Sequence, residues 1–387
     1  MEKSIKIRNS SIESLKLLGI LLIVISHVVQ TLGKTNVDPS YTYPIDLTLT
    51  TTDIQHLIVS MFQYSGTLGN TIFFVCSAWF LVRDDDVSKR KIFTMLADIW
   101  VVSVIILCIL KLLDSAIIGG GYTLRALLPT YGENNWYMNC YLIFYAIHPF
   151  LNLLIKKINQ RTLLRFVLIS VPLYYVIAFS GIIPKYLFGF GGSFFASYLT
   201  TWIVIYFLIA YMSIYASEFW ANKHFNIILF LFGFVGNYGL IGFSNYLGLR
   251  VGIFRETLQL YNTCYNPFML AMVLGLFNLI RQIDFENKVI NYISKLSLFI
   301  YIIHENFLLK SIYRPKLWQY IYIHMEGQNH ILACVGILTV IVFLFGLICS
   351  IVYYESVHKL VVKTCNKFYP RIALLWRNLE NKAMQLH

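Results

Sequence analysis

The sequence predicts an all-α polytopic integral membrane protein, a bundle of about ten transmembrane helices with both termini cytoplasmic. Three observations lead there. Hydrophobic residues make up 58% of the 387 and charged residues only 13%, about half the charge density of a soluble domain. Apolar stretches near the roughly 18-residue spanning threshold recur along the whole length. Lys and Arg are distributed unevenly over the segments between them, as the positive-inside rule requires.

The apolar stretches are 15–33, 62–82, 93–113, 136–155, 164–184, 194–215, 225–243, 264–280, 289–309 and 331–354. The first follows basic residues but lacks the short core and small-residue cleavage site of a secretory signal, so it reads as a retained helix. With the N-terminus inside, the inward segments carry more than twice the Lys and Arg of the outward ones, and an even number of spans returns the C-terminus to the same side. The net charge of +12 then reads as topology and attraction to anionic membrane lipids, not as nucleic-acid binding. Connecting stretches are short, the longest being 34–61, 114–135, 244–263 and 310–330, and no repeat or linker divides the chain. One transmembrane domain, 1–355, is expected, followed by a basic cytoplasmic tail, 356–387, suited to lie as a helix on the inner membrane surface.

Cysteine usage excludes several chemistries. The seven cysteines are odd in number and fall mostly inside the spans, and no CxxC or HExxH spacing occurs. Neither a disulfide framework nor a metal site is expected. Without a Walker loop or a dinucleotide glycine pattern, chemistry must come from side chains that point into the bundle.

The first span supplies such side chains. "SLKLLGILLIVISHVVQTLG" carries Lys16 and, eleven residues later, His27. Eleven residues rise about 16 Å and make close to three turns, so the two share a face with Glu13. Lys16 alone also fits a snorkelling anchor. His27 alone fits either an interhelical hydrogen bond to a Ser or Tyr or a general base toward a hydroxyl. An ionisable group at this depth is a functional candidate by default. His148, just before Pro149, reads as a packing histidine.

The pattern Glu13-x-Leu15-Lys16 followed by apolar residues and His27 resembles the first helix of the membrane acyltransferase 3 family, whose members O-acylate bacterial surface sugars. Glu13 stands where that family usually has Asp, and Lys16 where it usually has Arg. "IFFVCSAWFLV" (72–82) is similar to its second-helix signature, with Ser77-Ala78 in place of Ser-Gly; small residues here also serve close helix approach. "VSKRKIF" puts Lys89, Arg90 and Lys91 where the family keeps arginines. "NNWYMNCYLIFYAIHPFLN" (134–152) resembles its Trp-Tyr helix, and "LSLFIYIIHENFLL" (296–309) its Tyr-x-x-His helix, with Tyr301 and His304.

The resemblance implies an O-acyltransferase, expected to be an O-acetyltransferase, in the bacterial plasma membrane. Its donor would be acyl-CoA, with acetyl-CoA the expected one. Its acceptor would be a hydroxyl of a surface polysaccharide or a lipid-linked precursor. His27 would act as the base, with Glu13 and Lys16 orienting the donor. Lys89, Arg90 and Lys91 would meet the donor phosphates or else only enforce topology. Trp136, Tyr137, Tyr301 and His304 would face the sugar, although Trp and Tyr also belong in interfacial belts. Relatives often carry a further soluble esterase-like domain; the whole transfer is expected within the membrane domain here. A polysaccharide polymerase or a lipid-linked sugar flippase of the same pathway shares the composition, but polymerases display a long outer loop and flippases paired halves. A non-catalytic scaffold would not need the Glu13, Lys16, His27 stripe.

Overall fold

The computed structural model describes residues 9–32, 47, 49–63, 65–116, 118–131, 134–180, 197–252, 263–327 and 329–384, and its regular structure is helical. In chain order the helices are α1 (Ser10–Val29), α2 (Ile54–Phe62), α3 (Ser65–Leu81), α4 (Lys89–Leu113), α5 (Gly120–Leu127), α6 (Trp136–Lys157), α7 (Gln160–Ser180), α8 (Tyr198–Ile214), α9 (Lys223–Val251), α10 (Pro267–Ile280), α11 (Lys288–Lys295), α12 (Ser297–His304), α13 (Arg314–His324), α14 (Ile331–Tyr353) and α15 (Lys359–Met384). Among the described residues, six helices are long and apolar enough to cross a membrane: α1, α4, α6, α7, α9 and the run that begins with α14. The outer faces of α7 and α9 expose Leu168, Ile169, Val176, Ile228 and Val235, a surface that suits lipid and that water would penalise.

Ten predicted spans do not reappear as ten long helices. α3 and α8 have 17 residues each and α10 has 14. The predicted ends at 33, 181–184 and 194–196 lie outside the described residues. The stretch 289–309 is broken twice, at Leu296 and after His304, where the Asn306 side chain accepts from the Leu308 N–H at 3.1 Å. Backbone broken inside a membrane protein is tolerated where it lines a polar cavity. The stretch 310–330, read from sequence as a loop, is mostly a π-helical turn (Leu309–Tyr313) followed by α13. α2 and α5 occupy parts of two other predicted loops, and α9 continues past 243 to Val251.

Local chemistry explains where α1 starts and how it is held. The Asn9 side chain accepts from the N–H groups of Ser11 and Ile12, and Glu13 sits in the first turn at the positive end of the helix dipole. Ser10 Oγ donates to Asn291 Oδ1 at 2.9 Å and accepts from the Asn287 N–H at 2.8 Å, tying this end to α11. Further along, α1 crosses α3 in backbone contact: a methyl group on Gly69 would run into the Gly19 carbonyl. α9 and α10 meet in the same way at Gly233 and Gly275. Lipid removes the hydrophobic drive for helix pairing, so close approach of small residues takes its place.

α14 passes through a second π-helical turn (Tyr354–His358) into α15, so the boundary expected at 355 falls inside a continuous helix. α15 packs on α4, with Lys89 Nζ 5.1 Å from the centroid of the Trp376 ring. His148 is fully buried and its ring nitrogens meet the carbonyls of Tyr145 (2.6 Å) and Asp84 (3.1 Å). All seven cysteines are free thiols.

Candidate active site

Two chambers are stacked along α1. The near chamber, about 280 Å³, lies beside the first half of α1 and is lined by Glu13, Lys16, Lys91, Ser294 and Lys295 at its polar end and by Ile23, Phe73, Tyr137 and Tyr301 at its deep end. The far chamber, about 520 Å³, is lined by His27, Asn70, Trp136, Tyr198, Glu305, Lys310 and Arg314 among others. Tyr137 and Tyr301 close the near chamber with ring centroids 5.8 Å apart.

The break after α12 builds the far chamber. It delivers His304, Glu305, Lys310 and Arg314 from one short segment to the side of His27. His27 Nδ1 lies 3.1 Å from Glu305 Oε1 and 3.1 Å from His304 Nε2, with the two imidazoles stacked. Hydrogen placement follows from the partners. His304 Nδ1 lies 2.7 Å from the Ile300 carbonyl, which only accepts, so Nδ1 carries the proton and Nε2 is a lone pair. His27 Nδ1 therefore faces two acceptors and must be the donor. In a neutral His27, Nε2 is then the basic nitrogen, and it has no hydrogen-bond partner among the described residues.

Arg314 locks this arrangement. Only 6% exposed, it donates to Glu305 Oε1 at 3.2–3.3 Å, to the His27 carbonyl at 3.2 Å and to the His304 carbonyl. One guanidinium thus binds α1, the end of α12 and the carboxylate between them. Lys310 takes the other carboxylate oxygen at 3.2 Å. His27, His304 and Glu305 also bring three ligand-type atoms within 4.8 Å of one another. With Arg314 and Lys310 already on the carboxylate, a divalent ion would meet two fixed positive charges at contact range.

A family model described as an acyltransferase domain matches residues 9–354, from the cap of α1 to the π-helical turn after α14. The chain belongs to the acyltransferase 3 family. It is a multi-pass membrane acyltransferase. No curated protein and no solved structure matches it.

In this acyltransferase the residues singled out from sequence divide between the chambers. Glu13 and Lys16 pair at 3.2 Å, and Ser294 Oγ donates to the other Glu13 oxygen at 2.5 Å, all in the near chamber. His27 shares their helix face but lines the far chamber, about three turns on. Lys89 turns out to Trp376, while Lys91 lines the near chamber and, with Arg90, an adjoining cavity. Trp136 lines the far chamber. Tyr137 and Tyr301 lie between the two, on the near side, and His304 is packed behind His27.

Sequence reasoning missed Glu305, which lies inside the predicted span 289–309, and Lys310 and Arg314, which lie in the connecting stretch 310–330. The available signal was one acidic and two basic residues within ten positions, directly after an apolar run that already held a histidine. Asn70 was also missed. It is buried in the wall of the far chamber, and its Oδ1 has no hydrogen-bond partner among the described residues.

Proposed function

We propose that the protein is an O-acyltransferase that moves an acyl group from acyl-CoA, most simply acetyl-CoA, to a hydroxyl of a cell-surface polysaccharide or its lipid-linked precursor. The membrane is the bacterial plasma membrane, crossed by about ten segments, with both termini and the near chamber on the cytoplasmic side. The observation that carries the reading is the Glu305–His27 pair at the wall of a chamber wide enough for a sugar. A carboxylate on Nδ1 fixes the tautomer and stabilises the imidazolium that forms when Nε2 takes a proton.

In this mechanism the acceptor hydroxyl attacks the thioester carbonyl while His27 Nε2 removes its proton. The C–S bond breaks, and the departing coenzyme A thiolate recovers a proton from the His27 imidazolium. The new bond is an ester, and no redox change occurs. Glu13, Lys16 and Lys91 are disposed to guide the donor along the near chamber. Trp136 and Tyr198, whose ring centroids are 4.1 Å apart, offer the aromatic faces that sugars stack on. The Asn70 Oδ1, without a partner among the described residues, can accept a hydrogen bond from a sugar hydroxyl, which supports an acceptor in the far chamber. For the thioester to meet the hydroxyl, the Tyr137 or Tyr301 ring must turn aside.

The test is mass spectrometry of surface polysaccharide from cells with and without this protein. Loss of an acyl ester on deletion, restored by wild type and not by His27→Ala, is the expected result. An unchanged acylation pattern would exclude the polysaccharide acceptor.

A further inference from the structure

We propose that Arg90, Lys91, Lys295 and His358 form a phosphate-binding site in the cavity next to the near chamber, with Asp98 as its positioning residue. The assignment to the donor rests on the acyl-CoA reading above; the phosphate chemistry does not. The cavity, about 340 Å³, is walled by α4, by the α11–α12 junction and by the π-helical turn before α15. It adjoins the near chamber, since Lys91, Met95, Lys295 and Leu298 line both.

Charge is what points to a ligand. Arg90, Lys91 and Lys295 come from two separate helices, and none of them has an ion-pair partner among the described residues. Lys91 and Lys295 rest instead on aromatic faces, 4.6 Å from the Tyr145 centroid and 4.4 Å from the Tyr354 centroid. Three cations around one cavity, with no carboxylate paired to any of them, suit an anion, and phosphate oxygens take charge-assisted bonds from such groups. Asp84 lies within electrostatic reach of Lys91, and Glu355 of Lys295, but neither forms an ion pair with them, and the acid in the wall is not available to them. Buried Asp98 holds His358 Nδ1 at 3.0 and 3.1 Å through its two oxygens and accepts from Tyr353 Oη at 2.8 Å. With Nδ1 committed to Asp98, His358 has only Nε2 left for a ligand. The π-helical turn that sets His358 opposite Arg90 and Lys295 is a distortion that recurs at functional sites.

Two sources could bring the phosphate, the nucleotide end of coenzyme A or the headgroup of an anionic phospholipid. The cavity's continuity with the near chamber favours the nucleotide. Binding is measured on the full-length protein in nanodiscs of phosphatidylcholine, with adenosine 3′,5′-bisphosphate as the nucleotide probe and added phosphatidylglycerol as the lipid probe. Lys295→Gln and Arg90→Gln are each expected to weaken adenosine 3′,5′-bisphosphate binding about 10- to 100-fold, the loss of one charge-assisted bond, while Lys111→Gln, at the other end of α4, leaves it unchanged. His358→Ala and Asp98→Asn should raise KM for acetyl-CoA with kcat retained, and the double variant should do no more than either single one.

If phosphatidylglycerol and not the nucleotide binds in a Lys295- and Arg90-dependent manner, the phosphate site stands and the lipid is its source. Wild type that binds neither probe, or binding that survives both Gln variants, overturns the site. If acetyl-CoA still supports transfer at the wild-type KM in those variants, the acyl-CoA reading outlives that failure. Wild type that binds the nucleotide but transfers no acyl group would contradict the acyl-CoA reading and leave the site.

Discussion

Replacing Glu305 with Gln keeps the shape of the side chain and removes the charge that His27 leans on. The carboxylate oxygen lies 3.1 Å from His27 Nδ1. At an effective dielectric near 20, that separation is worth about 5 kcal/mol to an imidazolium. Arg314 and Lys310 sit at 3.2 Å from the same carboxylate, and their repulsion of the imidazolium remains when the negative charge is gone. The upper figure corresponds to roughly 10⁴ in rate, since about 1.4 kcal/mol is tenfold, and the comparable carboxylate-to-amide change in an Asp-His-Ser triad costs about 10⁴. Loss of general-base assistance alone sets the lower bound at about 10². Glu305→Gln should therefore lower kcat by 10²- to 10⁴-fold, whereas Glu305→Asp, which keeps the charge, should lose less. The assay is transfer of labelled acyl groups in membrane vesicles, normalised to correctly inserted protein, because unpairing Arg314 also costs stability. Activity of Glu305→Gln within about threefold of wild type would refute the dyad, since no general-base role loses so little.

Three further outcomes follow from the geometry. Lys16→Arg should retain or raise transfer, because a guanidinium can engage Glu13 or a phosphate in two places, while Lys16→Gln should nearly abolish it; equal vesicle activity for all three would make Lys16 an anchor only. Asn70→Ala should raise KM for the acceptor by about tenfold with the donor KM unchanged, the loss of one hydrogen bond, and steady-state kinetics with each substrate varied separately would expose a different pattern. Gly69→Ala should force α1 and α3 apart and cost about 1–3 kcal/mol, read as a lower midpoint in thermal unfolding in detergent; an unchanged midpoint would mean that the crossing yields without strain.

How much of this was legible in the sequence depends on the range of the signal. Composition and the apolar runs gave the helical membrane protein, because bilayer thickness acts on each segment separately. Helix periodicity put Glu13, Lys16 and His27 on one face, and that face does line both chambers. The split of 289–309 was hidden, since "LSLFIYIIHENFLL" is apolar enough to pass as one span and its break depends on Asn306 and on a cavity that other helices build. Glu305 and Arg314 were hidden for the same reason: a charge near a span end reads as loop until the fold folds it back. The division of "SKRK" between Trp376 and the inner cavities also required knowing where α15 places Trp376, more than 280 residues after Lys89 in the chain.

The central claim is that His27 removes the proton from the acceptor, and acyl transfer by a His27→Ala variant tests it most directly. Vesicles carrying equal amounts of inserted wild-type and variant protein are supplied with labelled acetyl-CoA on the side of the near chamber, and label in the glycan fraction is followed. Wild type should transfer label, and His27→Ala should fall by at least about 10²-fold while remaining folded and inserted. Transfer by a well-inserted His27→Ala protein at the wild-type rate would contradict the account.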